Sequence, residues 1–473
     1  MSQKNETPVL VLSLLLTLAL LGGGLWFLAK TLNLGSLFSS GQNAIPGNSN
    51  SGTTVALQDR FSRGERLLDP ATSSADKQAG ISAIASGDYA QAVTRLEASL
   101  KAKRNDPEAL IYLNNARIGQ SQAYTIAVSV PITSSTGAAE EILRGVAQAQ
   151  TDFNRAGGVN GVPLKVAIVS DDNNPDIAKQ VAADLVKDSS ILGVIGHFGS
   201  DATLAAAPVY QEGGVVMISP TSTAVQISNL GNAIFRTVPS DRFTASTLSD
   251  YLLKTLNIQQ VAVYYNSGND YSRSLKEEFT TALTSDGGQV ITEFDLNNSA
   301  FNAAQAVAQA TQQGAQALVL LPNTGALDTA LQVVTANQRK LPLLGGDSVY
   351  NPKTLQIGGN VAEGMVVAVP WVLLSNPQSP FVQTATRLWG ADINWRTATA
   401  YDATQVLIAG LKRDPTRQGI QQTLNDPGFS LVGATGNIKF SLAGDRNQPM
   451  QLVLVEASSR SSYGYTFVPV ATK

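Results

Sequence analysis

The sequence predicts an α/β protein whose main part is two doubly wound, parallel-sheet lobes facing each other across a cleft. Three observations predict it. From Tyr124 onward, short apolar strand-like runs alternate with helix-period segments, the pattern of parallel sheets covered by helices on both faces. The stretch 124–473 exceeds the roughly 250–300 residues at which single cores stop growing, so two lobes are expected. Two turns, Ile195 to Ser200 and Ile218 to Thr223, each end an apolar run and are rich in Gly, Ser and Thr. At the carboxyl ends of neighbouring parallel strands, such turns aim hydroxyls and free N–H groups into one crevice, where open α/β sheets bind ligands. That chemistry suits a carboxylate held without a buried positive charge.

Composition narrows the function. The 473 residues carry 33 basic and 36 acidic side chains, a net charge of −3, which leaves no electrostatic footprint for nucleic acid. There is no cysteine, so disulfides, zinc–thiolate sites, thiol catalysis and cysteine lipidation are excluded. One histidine and no cysteine leave oxygen ligands only, so neither a transition metal nor any other cofactor is expected.

The elements follow in chain order. Residues 8–29 are almost wholly apolar, about the ~20 residues that cross a bilayer core. A cleavable signal has a core of roughly 7–15 residues and a small-residue exit site; this run is longer and ends in Trp26-Phe27-Leu28-Ala29-Lys30. A single uncleaved transmembrane anchor is therefore expected. Flanking charge orients it weakly, and the long downstream globule favours the amino terminus inside and the bulk outside. Residues 30–54, dominated by Ser, Gly and Asn with Pro46, read as a flexible tether. Over 55–120 the period is helical: Ile81, Ile84 and Ala85, then Ala92, Val93, Leu96 and Leu100, then a helix opened by Asp106-Pro107. Gly87-Asp88-Tyr89 followed by Ala92 and Leu96 resembles a tetratricopeptide turn, but the match covers little more than one ~34-residue repeat. The module reads equally as a helical hairpin serving as spacer or as a partner-binding surface.

In the main domain, Tyr124 to Val130 is a predicted strand and Ala138 to Arg155 a long helix. Strands are predicted at Lys165 to Val169, Ile191 to Ile195, Val215 to Ile218, Val261 to Tyr265, Gln289 to Phe294, Ala317 to Leu321 and Leu341 to Leu344. After Val369 to Val372, a helix from Thr399 to Leu411 returns the chain to the first lobe. The expected division is about 124–241 and 371–430 for the first lobe, and about 242–370 and 431–473 for the second. The late strands Gly436 to Phe440 and Met450 to Glu456 are placed mostly in the second lobe.

Asn154-Arg155-Ala156-Gly157-Gly158-Val159-Asn160-Gly161-Val162-Pro163-Leu164 resembles the end of the first helix of type I periplasmic binding proteins, in particular the branched-chain amino acid (leucine/isoleucine/valine) receptors. Asp171-Asp172, the two Ser/Thr turns, Ala362-Glu363-Gly364-Met365 and the late Gly433-Ala434-Thr435-Gly436 follow in the family's order. The resemblance covers about 124–468. It implies an extracytoplasmic receptor that closes its lobes on a ligand and docks on an ABC permease; together with the anchor read from residues 8–29, the expectation is a single-pass inner-membrane protein with the bulk of the chain in the periplasm. It also implies that Ser200, Thr221 and Thr223 hold an amino-acid carboxylate, that Asp347 pairs with the ammonium and that Tyr271 covers the ligand. Phe198 is placed to add apolar contact. Leu321-Pro322-Asn323-Thr324 and Asn394-Trp395-Arg396 depart from the leucine receptor's apolar patches, and Arg396 is suited to a polar or acidic ligand side chain. The family disulfide near the first turn is absent.

Rival chemistries are weaker. Gly157 to Gly161 follows a helix and precedes a strand, the reverse of a dinucleotide loop. Gly346-Asp347-Ser348 is like an esterase nucleophile block, but His197, the sole histidine, lies in the other lobe; a hydrogen-bonded loop role is expected for it. No enzyme is expected, and with no Gly-Lys-Ser/Thr phosphate loop, ATP hydrolysis belongs to a partner. The alternative function is a ligand-sensing or interaction ectodomain of the same fold.

Overall fold

The computed structural model describes residues 57–471, so the apolar run 8–29 and the tether 30–54 lie outside the described residues. Among the described residues, no helix is long and apolar enough to cross a membrane.

Two sheets carry the fold. The first contains β1 (Phe61–Ser62), β2 (Tyr124–Val130), β3 (Leu164–Ser170), β4 (Ile191–Ile195), β5 (Val216–Ser219) and β6 (Ile234–Arg236), in the order β1-β3-β2-β4-β5-β6. All pairings from β2 to β6 are parallel, whereas β1 joins β3 antiparallel. Burial on both faces explains why these strands read as continuous apolar runs rather than alternating ones. The second sheet begins with β7 (Gln260–Tyr265), β8 (Gln289–Asp295), β9 (Ala317–Leu321), β10 (Leu343–Gly345) and β11 (Val366–Val369). These run β8-β7-β9-β10-β11, all parallel. Each lobe thus repeats the same doubly wound order, with its switch point between β2 and β4 or between β7 and β9.

The chain then crosses back. The helix Trp395–Arg413 lies along the helix Thr136–Arg155 of the first lobe so closely that a Cβ on Gly145 would sit 2.3 Å from the Thr397 carbonyl oxygen. The late strands separate. β12 (Leu431–Gly433) and β13 (Gly436–Ile438) form their own hairpin, tied to the first lobe by Asp402, which accepts from the Ala434 and Thr435 amides. The placement of Gly436 to Phe440 in the second lobe is therefore corrected: the buried Asp402 carboxylate draws that turn to the returning helix. Only β14 (Gln451–Ala457) and β15 (Tyr465–Pro469) extend the second sheet, antiparallel at its edge.

Upstream of β2 stand three helices, Ala75–Ala85, Tyr89–Ala102 and Pro107–Ile118, capped by Ser74, Asp88 and Asp106 through 3.0–3.1 Å bonds from backbone amides. Pro107 stands at the first helical position, where its missing N–H costs nothing. Their core includes a fully buried Lys77 bonded to Asp106 at 2.9 Å and Glu108 at 2.7 Å. Pro107 to Ala116 are buried, and Asn115 reaches the free edge of β3: its amide group donates to the Val166 carbonyl at 2.8 Å and accepts from the Val166 N–H at 3.1 Å. Asn154 does the same for Leu164, and β1 covers Ile168 and Val169. Side-chain amides and a two-residue strand together satisfy an edge that would otherwise stay open.

Candidate functional site

A cleft of about 180 Å³ lies between the carboxyl ends of the two parallel sheets. The first lobe contributes Ser134, Ser135, Asp172, Asn173, Phe198, Gly199, Ser200 and Thr221; the second contributes Asn269, Tyr271, Asn323, Asp347 and Ser348; Trp395 and Arg396 come from the start of the returning helix. Six of the seven residues singled out from sequence therefore meet in one place. Thr223 does not line the cleft: it is fully buried, its hydroxyl has no partner, and its carbonyl accepts from the Asp241 N–H at 2.9 Å.

The two turns are laced to each other. The His197 carbonyl accepts from Ser219 at 2.9 Å and Ser222 at 3.1 Å, and the Phe198 carbonyl accepts from Thr221 Oγ1 at 2.8 Å. The second turn's hydroxyls are largely spent fixing the first turn's carbonyls. What the first turn offers the cleft is the opening of the helix Ser200–Glu212, whose N-cap Gly199 gives no side-chain cap. Its first amides lack intrahelical partners and, with the dipole, favour an anion. A Cβ on Gly199 would meet Asn173 Oδ1 at 2.1 Å, so any larger residue there must displace that side chain. His197 is buried beneath the turn, with Nδ1 2.6 Å from Asp171 and Nε2 3.2 Å from the Tyr210 hydroxyl. It positions the turn and does not line the cleft.

Opposite stands Asp347, at the end of β10 and only 4% exposed. Its Oδ2 has no hydrogen-bond partner. Burial pushes the carboxyl up to about 7, opposed by Arg396 and reinforced by Asp241. Asp241, where the chain enters the second lobe, is pushed by burial up to about 6 despite the nearby Ser274 and Thr223 hydroxyls, and neither of its oxygens completes a hydrogen bond. Tyr271 packs against Gly346, and burial, then Asp347, raises its phenol well above the ordinary range. Asp172, by contrast, is satisfied. Burial pushes it up, but bonds from Thr133, Arg60 and Ser170 outweigh this and hold it below the usual range; Arg60, 2.5 Å away, comes from the upstream segment.

Sequence reasoning missed Asp241, Asp201, Ser134 and Ser135. Ser135 precedes a helix and Asp201 follows Ser200, so both carried a cap signal that was not extended to the cleft. Asp241 carried none, since a carboxyl left unpaired in a core has no local pattern.

A family model described as periplasmic binding protein matches residues 123–461. The chain is 26% identical over 332 residues to the Leu/Ile/Val-binding protein homolog 3 of Brucella melitensis, covering 69% of this chain and 89% of that protein. It is 34% identical over 154 residues to an amino acid binding protein of Pseudomonas aeruginosa, 32% of this chain and 41% of that one. Among solved structures, an ABC transporter substrate-binding protein from Desulfitobacterium hafniense in complex with Leu superposes with a TM-score of 0.61 at 23% identity. That match spans 73% of this chain and all of the other.

Proposed function

The chain belongs to the periplasmic binding protein family, and on that premise we propose that it captures an amino acid or related small zwitterion between its lobes and delivers it to an ABC permease. One observation carries the reading: Asp347, buried with an unpartnered oxygen, shares a small cleft with an uncapped helix amino terminus at Ser200. A zwitterion's ammonium and carboxylate complete both. Ser200 and the amides of the first turn take the carboxylate, Thr221 holds that turn through the Phe198 carbonyl, Asp347 takes the ammonium, and Tyr271 and Phe198 close over the aliphatic part. Thr223 supports the turn and the Asp241 amide from behind. The relatives that bind branched-chain amino acids, by their names, are consistent with this class of ligand.

The same reading places the receptor outside the cytoplasm, held to the membrane by the apolar run 8–29 through the tether 30–54. Protease accessibility of the domain in intact spheroplasts, with the chain remaining in the membrane fraction, tests that arrangement. For the ligand, the full-length protein purified under native conditions is denatured and the released small molecules identified by mass spectrometry. Recovery of stoichiometric amino acid supports the proposal. Recovery of a solute lacking a cationic group removes the role given to Asp347.

A further inference from the structure

We propose that the outer end of the cleft is an anion subsite formed by Arg396 and the amino terminus of the helix Thr136–Arg155, so that the ligand is an amino acid whose side chain ends in a carboxylate. This rests on reading the cleft as an amino-acid site.

Arg396 is only 5% exposed, yet its Nε has no partner, and Nη1 has only the Tyr350 carbonyl at 3.5 Å. Its guanidinium lies over the Trp395 ring, 4.2 Å from the centroid, which holds the flat donor fork in the wall of the cleft. Ser135, the N-cap of the 20-residue helix, makes no side-chain cap bond. The first amides of that helix and its dipole are therefore available to a negative charge. Ser134, Ser135 and Arg396 line both the inner cleft and an adjoining chamber of about 480 Å³, so they stand at the junction of the two.

The charges around this junction single out Arg396. Glu140 and Glu141 are paired with Arg144, Lys353 with Asp328, and Asp172 with Arg60. Glu141 also accepts from Thr397 and the Asn394 amide. Among the described residues lining the two spaces, Asp347 and Arg396 are the charged side chains without an ion-pair partner, and they do not pair with each other. Leaving a buried charge unpaired is costly. A ligand with one ammonium and one carboxylate satisfies Asp347 and a single anion site. A dicarboxylic amino acid satisfies three: Asp347, the helix opening at Ser200, and Arg396.

The test is calorimetric titration of the ligand-stripped full-length protein with L-glutamate, L-glutamine and L-leucine, in the wild type and in Arg396→Met. The expected result is glutamate binding at least about tenfold tighter than either neutral amino acid. In Arg396→Met that preference is lost while leucine binds no more weakly. The wild-type ranking alone is decisive if the variant melts abnormally. Leucine or glutamine binding as tightly as glutamate overturns the subsite and leaves the amino-acid reading intact, as does undiminished glutamate binding in Arg396→Met. Binding of none of the amino acids overturns both.

Discussion

Asp201, one residue inside the helix that opens at Ser200, accepts a 3.0 Å hydrogen bond from the Asp270 amide across the cleft and another, at 2.5 Å, from Asn269 Nδ2. One lobe's carboxylate thereby caps the amino terminus of a helix belonging to the other. The Val225 amide makes a second crossing, donating to Ser274 Oγ at 3.0 Å. In the described state the lobes are bridged directly, beside the turn that opens the helix at Ser200.

Asp201→Ala is expected to leave the fold intact and loosen closure. Hydrogen bonds to a charged group are worth about 1.5–3 kcal/mol, and Asp201 is half-buried, so the lower end applies. The ligand should dissociate roughly tenfold faster by stopped-flow fluorescence. An unchanged dissociation rate would mean that closure is held elsewhere.

The raised carboxyls give stability a defined pH dependence. Asp347 at about 7 and Asp241 at about 6 stand above the ~3.9 of an unfolded chain. Between those values the folded protein binds more protons, so their contribution falls as pH rises from about 4 to about 7. Asp347→Asn removes that cost. The ligand-free variant should melt higher than wild type at pH 8 and equally near pH 4. A lower melting temperature at pH 8 would show the carboxylate to be paired in the native state.

The upstream helices are predicted to be part of the binding domain's stability. Asn115→Ala strips the Val166 amide and carbonyl of their partners, a loss on the order of 3 kcal/mol. A chain beginning at Tyr124 also loses β1 and the Arg60 contact to Asp172. It should aggregate through the bared edge of β3, measured by light scattering, where a chain beginning at Leu57 stays monomeric. Equal behaviour of the two would reduce the segment to a spacer.

Much of this was legible in the sequence because the signals are local. The strands of the parallel sheets are buried on both faces and so read as apolar runs; Asp106-Pro107 announces its helix through a cap and a fixed φ. Ser200, Thr221, Tyr271 and Asp347 were legible because they follow strands in a familiar order. β1 and β6, two and three residues long, have too few residues to show a period. The role of Asn115 rests on an edge that only the folded sheet creates. Thr223, singled out with its neighbours, is fully buried beside the cleft with its hydroxyl unpartnered. The hairpin of β12 and β13 went to the wrong lobe because Asp402 and Thr435 are 33 positions apart.

The central claim is that Asp347 holds the ligand's ammonium, and calorimetric titration of the wild type beside Asp347→Asn with the amino acid that binds best tests it most directly. Losing one member of a buried ion pair costs about 3–5 kcal/mol, so binding should weaken by at least a hundredfold. Wild-type affinity should also decline as pH falls below about 7, since protonated Asp347 must release its proton to pair. Binding by Asp347→Asn within a few fold of wild type, with no pH dependence in either, would contradict the account.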